Sequence, residues 1–254
     1  MVIVSRNSAE YLLRRLTDLY SRGLFLIVVD CGWGDSAGLD GRFPGVRFIR
    51  LPRDFGMTKA LNLGIRAADT EYVALLAPQV EITAETLEAL AATLDAEPAT
   101  GAVAPLLTSC DQVSDLPSKT AVEPRLRPAT PGERVPRAVI AALMFRSFFL
   151  RALRHIDERY GDYGADIELC QQVRRAGKTI LIHPTATAVC HPPIEVTDAA
   201  QDADRELGLA RFLSKHYGIA TGLPYLIGRT FAALFSFRLK KAWLLITQTK
   251  IDGN

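Results

Sequence analysis

The chain reads as one α/β domain, a doubly wound and mostly parallel sheet flanked by helices, with a helical tail at its C-terminus. Two observations predict this. Short, wholly apolar runs recur along the first two-thirds of the chain, as parallel strands buried on both faces require. Stretches with apolar residues three and four apart alternate with them, as amphipathic helices require.

The elements follow in order. Val2 to Ser5 is a short buried strand, and Ser8 is placed to cap a helix with Tyr11, Leu12, Leu16, Leu19 and Tyr20 on one face, stopped by Gly23. Leu24 to Val29 and Val46 to Leu51 are strands, and Thr58 to Ala68 is a helix with Leu61 and Ile65 inward. Tyr72 to Leu76 is a buried strand. Thr83 starts a helix striped by Leu87, Leu90 and Leu94 and stopped by Pro98; Ala102 to Leu107 is a strand. Periodicity is lost over 109–136, where Pro, Ser, Thr and charges dominate. The expectation there is a long surface loop, a kind that usually serves function or is disordered. Structure resumes at Ala138 to Phe145, then a helix near Asp166 to Ala176, a strand Thr179 to His183 and a helix from about Asp198 to His216. The expected division is 1–217 for the sheet domain and 218–254 for the tail.

Bulk properties exclude several classes of function. The 254 residues suffice for one large core; nearly half are hydrophobic, about a quarter are charged, and the net charge is +2. With no basic repeat and no zinc-ligand spacing, no nucleic-acid partner is expected. Cys31, Cys110, Cys170 and Cys190 form no CxxC and are expected to be reduced, Cys170 as a small core residue. The apolar N-terminus is too short for a secretory signal, and no apolar run reaches about 18 residues, so a cytoplasmic protein without a spanning helix is expected. No organic cofactor is expected. Gly32, Gly34 and Ala37 match GxGxxA, but Gly38, Gly41 and Pro44 break the helix that motif must open. Asp30 and Asp35 also bring negative charge where a pyrophosphate would lie.

Ligands of open parallel sheets sit beyond the carboxyl ends of the strands. Here those ends carry Ser5 and Asn7, then Asp30, then Gln79. Several ordered runs share that placement: Val2-Ile3-Val4-Ser5-Arg6-Asn7-Ser8, then Val28-Val29-Asp30-Cys31-Gly32-Trp33-Gly34-Asp35, which is similar to VDNGSTD. Asp54-Phe55-Gly56 and Ala60-Leu61-Asn62-Leu63-Gly64-Ile65 follow. Glu71-Tyr72-Val73 leads to Pro78-Gln79-Val80-Glu81. Later come Ile156-Asp157-Glu158-Arg159-Tyr160, then Tyr163-Gly164-Ala165-Asp166-Ile167-Glu168-Leu169-Cys170, Arg174-Arg175-Ala176-Gly177 and His191. As an ordered series, from Val2 to about Pro192, this resembles the family 2 glycosyltransferases of the GT-A fold, among them rhamnosyltransferase-like enzymes of cell-surface polysaccharide.

The resemblance implies an inverting transfer of sugar from a UDP- or dTDP-sugar to a glycan or lipid-linked acceptor. It implies that Asp30 accepts the N3–H of a uracil or thymine and that Ser5, Asn7 and Asp35 line the same pocket. Asn62 would hold the diphosphate-sugar region, and Lys59 or Arg6 would offset its charge. Asp166 would be the general base. The residues also admit structural readings: Asp30 as a strand end, Asp166 as a carboxylate favoured at a helix N-terminus, Asn62 as an exposed helix residue, His191 as a loop histidine. Trp33, where the pattern has a small residue, either stacks on a base or sugar or shields its loop.

Two departures bear on the metal. The pattern's metal-binding Asp is Gln79 here, and the first acid of its Glu-Asp pair is Ala165. A neutral carbonyl is a poor substitute for a carboxylate toward Mg²⁺ or Mn²⁺, so the resemblance implies weak metal use or none, with His191 the other candidate ligand. Two readings stay open, an active transferase and a non-catalytic nucleotide-sugar-binding or scaffold homologue. In the tail, Leu226, Ile227, Phe231, Leu234 and Phe235 recur at helical spacing among Arg229, Arg238, Lys240 and Lys241. That pattern fits either an amphipathic helix on a membrane surface or a helix packed on the domain or a partner.

Overall fold

The computed structural model describes residues 1–191 and 199–249. The chain begins β1 (Val2–Ser5), α1 (Ala9–Tyr20), β2 (Ile27–Asp30), β3 (Arg47–Arg50), α2 (Met57–Ala67), β4 (Tyr72–Leu76), β5 (Val80–Glu81), α3 (Ala84–Ala96) and β6 (Thr100–Thr108). It continues β7 (Val113–Ser114), β8 (Arg134–Val135), β9 (Arg137–Ala138), β10 (Ala142–Arg146), α4 (Ser147–Ala152), α5 (Ala165–Arg175) and β11 (Thr179–Cys190). Then come α6 (Ala199–Tyr217), α7 (Ile219–Phe235) and α8 (Leu239–Thr247). The expected helix start at Asp198, the tail end at Lys250 and the motif end at Pro192 lie outside the described residues.

The sheet order is β3-β2-β1-β4-β10-β6-β11-β5, with β8 also on β11. β1 pairs in parallel with β2 and β4, β2 with β3, and β6 with β11. The expected mostly parallel sheet therefore holds, with β10 running antiparallel between β4 and β6. A parallel neighbour needs a crossover to the other end of the sheet. Residues 109–141 make no such crossover. They pass along β11, where β8 pairs with Ile180 and Leu181, and return to the carboxyl end of β4, where Ala142 opposite Leu76 starts β10 running back. β11 runs well beyond the expected His183, with an irregularity between Ile182 and Thr187.

The strands are apolar on both sides because helices cover both. Val2, Val4, Ile27, Val29 and Leu75 pack with Leu61 and Ile65 of α2. Ile3, Val28 and Leu76 pack with Leu12, Leu16 and Leu19 of α1 and Leu87, Leu90 and Leu94 of α3. Each such side chain contributes roughly 1.5–3 kcal/mol by burial. Tyr20, expected on the inner face of α1, instead stands half-exposed with its ring edge on Phe43. Thr83 caps α3 as expected, its hydroxyl accepting from the Thr86 N–H at 3.2 Å. Cys170 is fully buried, and all four cysteines are free.

The loop 109–136 is not wholly irregular. Its base is closed by β7 on β9, with Ser114 opposite Arg137. The tail is two helices broken at Ser236–Arg238, with Phe237 at φ +54°. They are fastened to α6 by a small cluster of Ala203, Leu207, Ala233, Ala242 and Leu245. Buried Glu206 accepts from Tyr225 and Arg229. Burial works against its charge, but those partners hold its carboxyl below the ordinary value.

Gly208 lets α6 lie against the turn that leads into α5. A Cβ there would stand 2.5 Å from the Tyr163 carbonyl oxygen, closer than real contacts allow. Gly208→Ala should therefore cost about 1–3 kcal/mol, read as a lower urea midpoint at unchanged m. An unchanged midpoint would show that α6 does not bear on this turn.

Candidate active site

Parallel pairing aligns the carboxyl ends of β1, β2 and β3, so Ser5, Asp30 and Arg50 stand side by side. The segments that follow these strands and β4 form one edge.

Asp30 is 2% exposed. Its Oδ1 accepts the N–H groups of Gly32 and Trp33 at 3.1 and 3.2 Å, and its Oδ2 accepts the N–H and the hydroxyl of Ser36, both at 2.9 Å. This corrects the expected contact with a base: the carboxylate is spent on its own loop. That loop needs glycine at position 32, where φ is +82° and a Cβ would meet the Arg53 backbone at 2.8 Å. The outcome is that Trp33 projects, 54% exposed. Asp35 is likewise committed. Its Oδ2 accepts the Ser5 hydroxyl at 2.6 Å and the Ser8 N–H at 2.9 Å. Asp35 thus caps α1 from a neighbouring loop, the task expected of the Ser8 hydroxyl, and fully buried Ser5 braces it instead of facing a nucleotide.

Asn62 is fully buried. Its Nδ2 donates to the Ile156 carbonyl at 2.8 Å and to Glu158 at 2.9 Å, while its Oδ1 accepts the Ile156 N–H at 3.0 Å. It pins 156–158 to α2, and burial rather than the expected exposed helix position is what the structure gives it. Of the donor-side residues named from sequence, Asn7 and Lys59 are exposed, Asn7 at φ +49°. The Lys59 ammonium sits 4.5 Å from the Phe55 ring centroid, and the Arg53 guanidinium lies 5.0 Å from the same ring. Arg6 is not free to offset charge. It bonds Asp54 at 2.5 Å and also pairs with Asp162. Burial opposes its charge, but these two carboxylates hold its guanidinium above the ordinary range.

Across the edge, Gly164 in a left-handed conformation opens α5, and Asp166 stands in its first turn. Arg137 Nε and Nη2 both donate to Asp166 Oδ2, at 2.9 and 2.6 Å, and Arg137 Nη1 donates to the Ser114 hydroxyl oxygen at 3.1 Å. Asp166 borders a cavity of about 550 Å³ shared with Tyr163, Arg125, Arg205 and Leu126. The loop 109–136 supplies one wall of it through Asp111 and residues 123–126.

Gln79 and His191 do come together. β5 pairs with the end of β11, and the Gln79 carbonyl accepts the His191 N–H at 3.0 Å. The His191 ring stacks on Tyr11 and lies 3.2 Å from a Glu81 oxygen. Among the described residues no three His, Cys, Asp or Glu side chains group to hold a metal ion. Hard divalent ions take six or more oxygens, usually with carboxylates among them. Ala77, Pro78 and Gln79 bring one neutral side-chain oxygen, so this donor set does not fit a tightly held Mg²⁺ or Mn²⁺. Ala165 is packed into the core, which leaves no open place for the pattern's first acid.

Sequence reading missed Arg137, Ser114, Asp162 and Asp204. The Asp204 carboxylate accepts the N–H groups of Asp162 and Tyr163 at 2.7 and 2.9 Å. These pairs join residues 23 to 42 positions apart, and no local pattern marks such separations.

A mostly parallel sheet with its loops gathered at the carboxyl edge and a helix-borne aspartate over a cavity is a GT-A-type arrangement. The family model for glycosyl transferase family 2 matches residues 1–159, and the chain belongs to that family. The pre-mycofactocin glycosyltransferase of Mycobacterium tuberculosis, in two strains, is 30% identical over 196 residues, 73% of this chain and 41% of that protein. The chain thus spans about two-fifths of the length of these curated relatives. Among solved structures, GalNAc-T7 with UDP, GalNAc and Mn²⁺ superposes with TM-score 0.70 at 15% identity, over 84% of this chain and 47% of that one. The mannosyltransferase PcManGT from Pyrobaculum calidifontis, in complex with GDP-Man and Mn²⁺, gives 0.61 at 18% identity, over 95% and 81%. These two likenesses establish the fold.

The saturated Asp30 carboxylate has a measurable consequence. Asp30→Ala strands three buried or half-buried loop N–H groups, at a cost of about 1–3 kcal/mol for an unsatisfied group. The melting temperature should drop by several degrees even without ligand. A variant as stable as wild type that had lost nucleotide binding alone would restore Asp30 to the base-binding role.

Proposed function

We propose that the chain is an inverting glycosyltransferase that moves a sugar from a UDP- or dTDP-sugar to a hydroxyl of a glycan or lipid-linked acceptor, with Asp166 as general base. The observation that carries this is the setting of Asp166. Arg137 holds one carboxylate oxygen with two hydrogen bonds, and the other is left for an acceptor hydroxyl in the adjoining cavity. The hydroxyl proton passes to that oxygen as the acceptor oxygen attacks the anomeric carbon. The bond from that carbon to the diphosphate breaks, and the nucleoside diphosphate departs. One displacement inverts the configuration. A base so placed accelerates transfer by about 10²–10⁴-fold.

On the donor side, Trp33 offers a stacking surface to the base, and Asn7 stands open beside it at the edge. Lys59 and Arg53 are the exposed cations there, suited to oppose charge building on the leaving diphosphate. With Gln79 in place of an Asp, no step is assigned to a metal ion. A non-catalytic nucleotide-sugar-binding or scaffold role is the second reading, favoured by Gln79 and Ala165.

Two measurements test this. Calorimetry with UDP, dTDP and GDP, with and without Mn²⁺, should show the pyrimidine nucleotides bound more tightly and EDTA of little effect. Gln79→Asp should add metal-dependent affinity, and strong saturable Mn²⁺ dependence in wild type would refute the reading of 77–79. In the second, nucleotide release is followed with UDP-glucose, UDP-N-acetylglucosamine, dTDP-rhamnose and GDP-mannose. Asp166→Asn should lower release by roughly 10²-fold or more with nucleotide affinity kept, and Arg137→Met should lower it less. Nucleotide binding without turnover on any donor would establish the non-catalytic reading.

A further inference from the structure

Large apolar side chains are exposed over one continuous stretch of this protein, the outer faces of α7 and α8. Ile219, Leu223, Ile227, Phe231 and Phe235 recur every fourth residue along α7, and all are exposed. The inner face of α7 is fixed by Gly222, where a Cβ would lie 2.4 Å from the Ala210 carbonyl oxygen of α6. The stripe opposite therefore faces outward by construction. On α8, Ala242 and Leu245 face inward, while Leu239, Trp243 and Ile246 are exposed. Exposure peaks at the corner between the helices, 82% at Phe235 and 86% at Phe237.

Charge on this stretch is one-sided. Residues 219–247 contain four Lys or Arg and no Asp or Glu. Arg229 and Arg238 are clipped to Glu206 and Asp202, acids that α6 supplies from the inner side. Lys240 is exposed and makes no ion pair among the described residues. The outer side thus offers apolar groups and the Lys240 ammonium.

We propose that α7 and α8 lie on an anionic lipid surface, with the Phe235–Phe237 corner seated at the headgroup–acyl boundary and Lys240 at the phosphates. This goes beyond the proposed reaction and does not depend on it. The shape favours lipid over protein. Anchors in protein interfaces fill surrounding pockets, whereas Phe235 and Phe237 stand 82% and 86% exposed. The helices lie on the surface without crossing it: no helix among the described residues is long and apolar enough to span a membrane, and Pro224 and Arg229 interrupt α7. Amphipathic helices with a cationic rim bind lipid in this way, and the cations give selectivity for anionic headgroups.

The test uses Trp243. The chain has two tryptophans, so Trp33→Phe leaves Trp243 as the sole reporter. With vesicles of phosphatidylcholine containing about one-third phosphatidylglycerol, its emission should shift to the blue and be quenched by bromine-labelled acyl chains. The protein should also float with the vesicles. Phe235→Ser with Phe237→Ser should weaken binding by about tenfold or more, and Lys240→Glu by severalfold on anionic vesicles only. Both changes are at exposed positions, and unchanged unfolding curves will confirm intact folds. Absence of quenching and flotation on anionic vesicles overturns the proposal. So does a dimer in sedimentation that the double Phe change dissolves, since that would make a second copy the occupant. Neither result touches the nucleotide-release assay, so failure here leaves the transferase reading standing.

Discussion

The site is held together by Arg6. Its guanidinium joins Asp54, in the turn before α2, to Asp162, in the turn before α5. Without it, two carboxylates would face each other unpaired across half-buried space. Each carboxylate does a second job. Asp54 accepts the Gly56 N–H at 2.8 Å, and Asp162 accepts the Met57 N–H at 2.8 Å. Both orphan N–H groups lie where α2 begins, so a helix start that lacks a side-chain cap of its own is completed from outside. A cation just past β1 therefore sets the spacing between the turn before α2 and the segment that carries Asp166.

The motif residues near this hub mostly turn inward. Asp30, Asp35, Asn62 and Ser5 were legible as important from their positions at strand ends and in ordered runs. Their direction was not legible. Whether a strand-end carboxylate meets a ligand or its own loop depends on where the following N–H groups point, and here left-handed glycines at 32 and 34 turn those groups back onto Asp30. The chemistry left exposed falls to Trp33, Lys59 and Arg53, residues that no strand-end rule selects.

The sheet and its covering helices were legible because each needs only local pattern: apolar runs of four or five residues and stripes three and four apart. The segment 109–141 was not. β7, β8 and β9 are two residues each, too short to carry a period. Their pairing is decided by long-range partners: Val135 on Ile180 of β11, Ser114 on Arg137. What looked like a loop is a small antiparallel clasp. It fixes an arginine between a serine on the neighbouring strand and the aspartate of α5.

α6 ties this arrangement to the C-terminal helices. Asp202 and Glu206 are four residues apart and so share a face. They hold Arg238 and Arg229 and so hold α8 and α7. Asp204 lies between them, about 200° around a helix of 3.6 residues per turn, and its carboxylate takes the two N–H groups of the turn before α5. Gly161 at that turn has no room for a Cβ, which would fall 2.1 Å from an Asp204 oxygen. One helix thus grips the turn before α5 on one side and the exposed apolar helices on the other. Its acids are spent on opposite faces, which is why they read in sequence as an unremarkable run of charge.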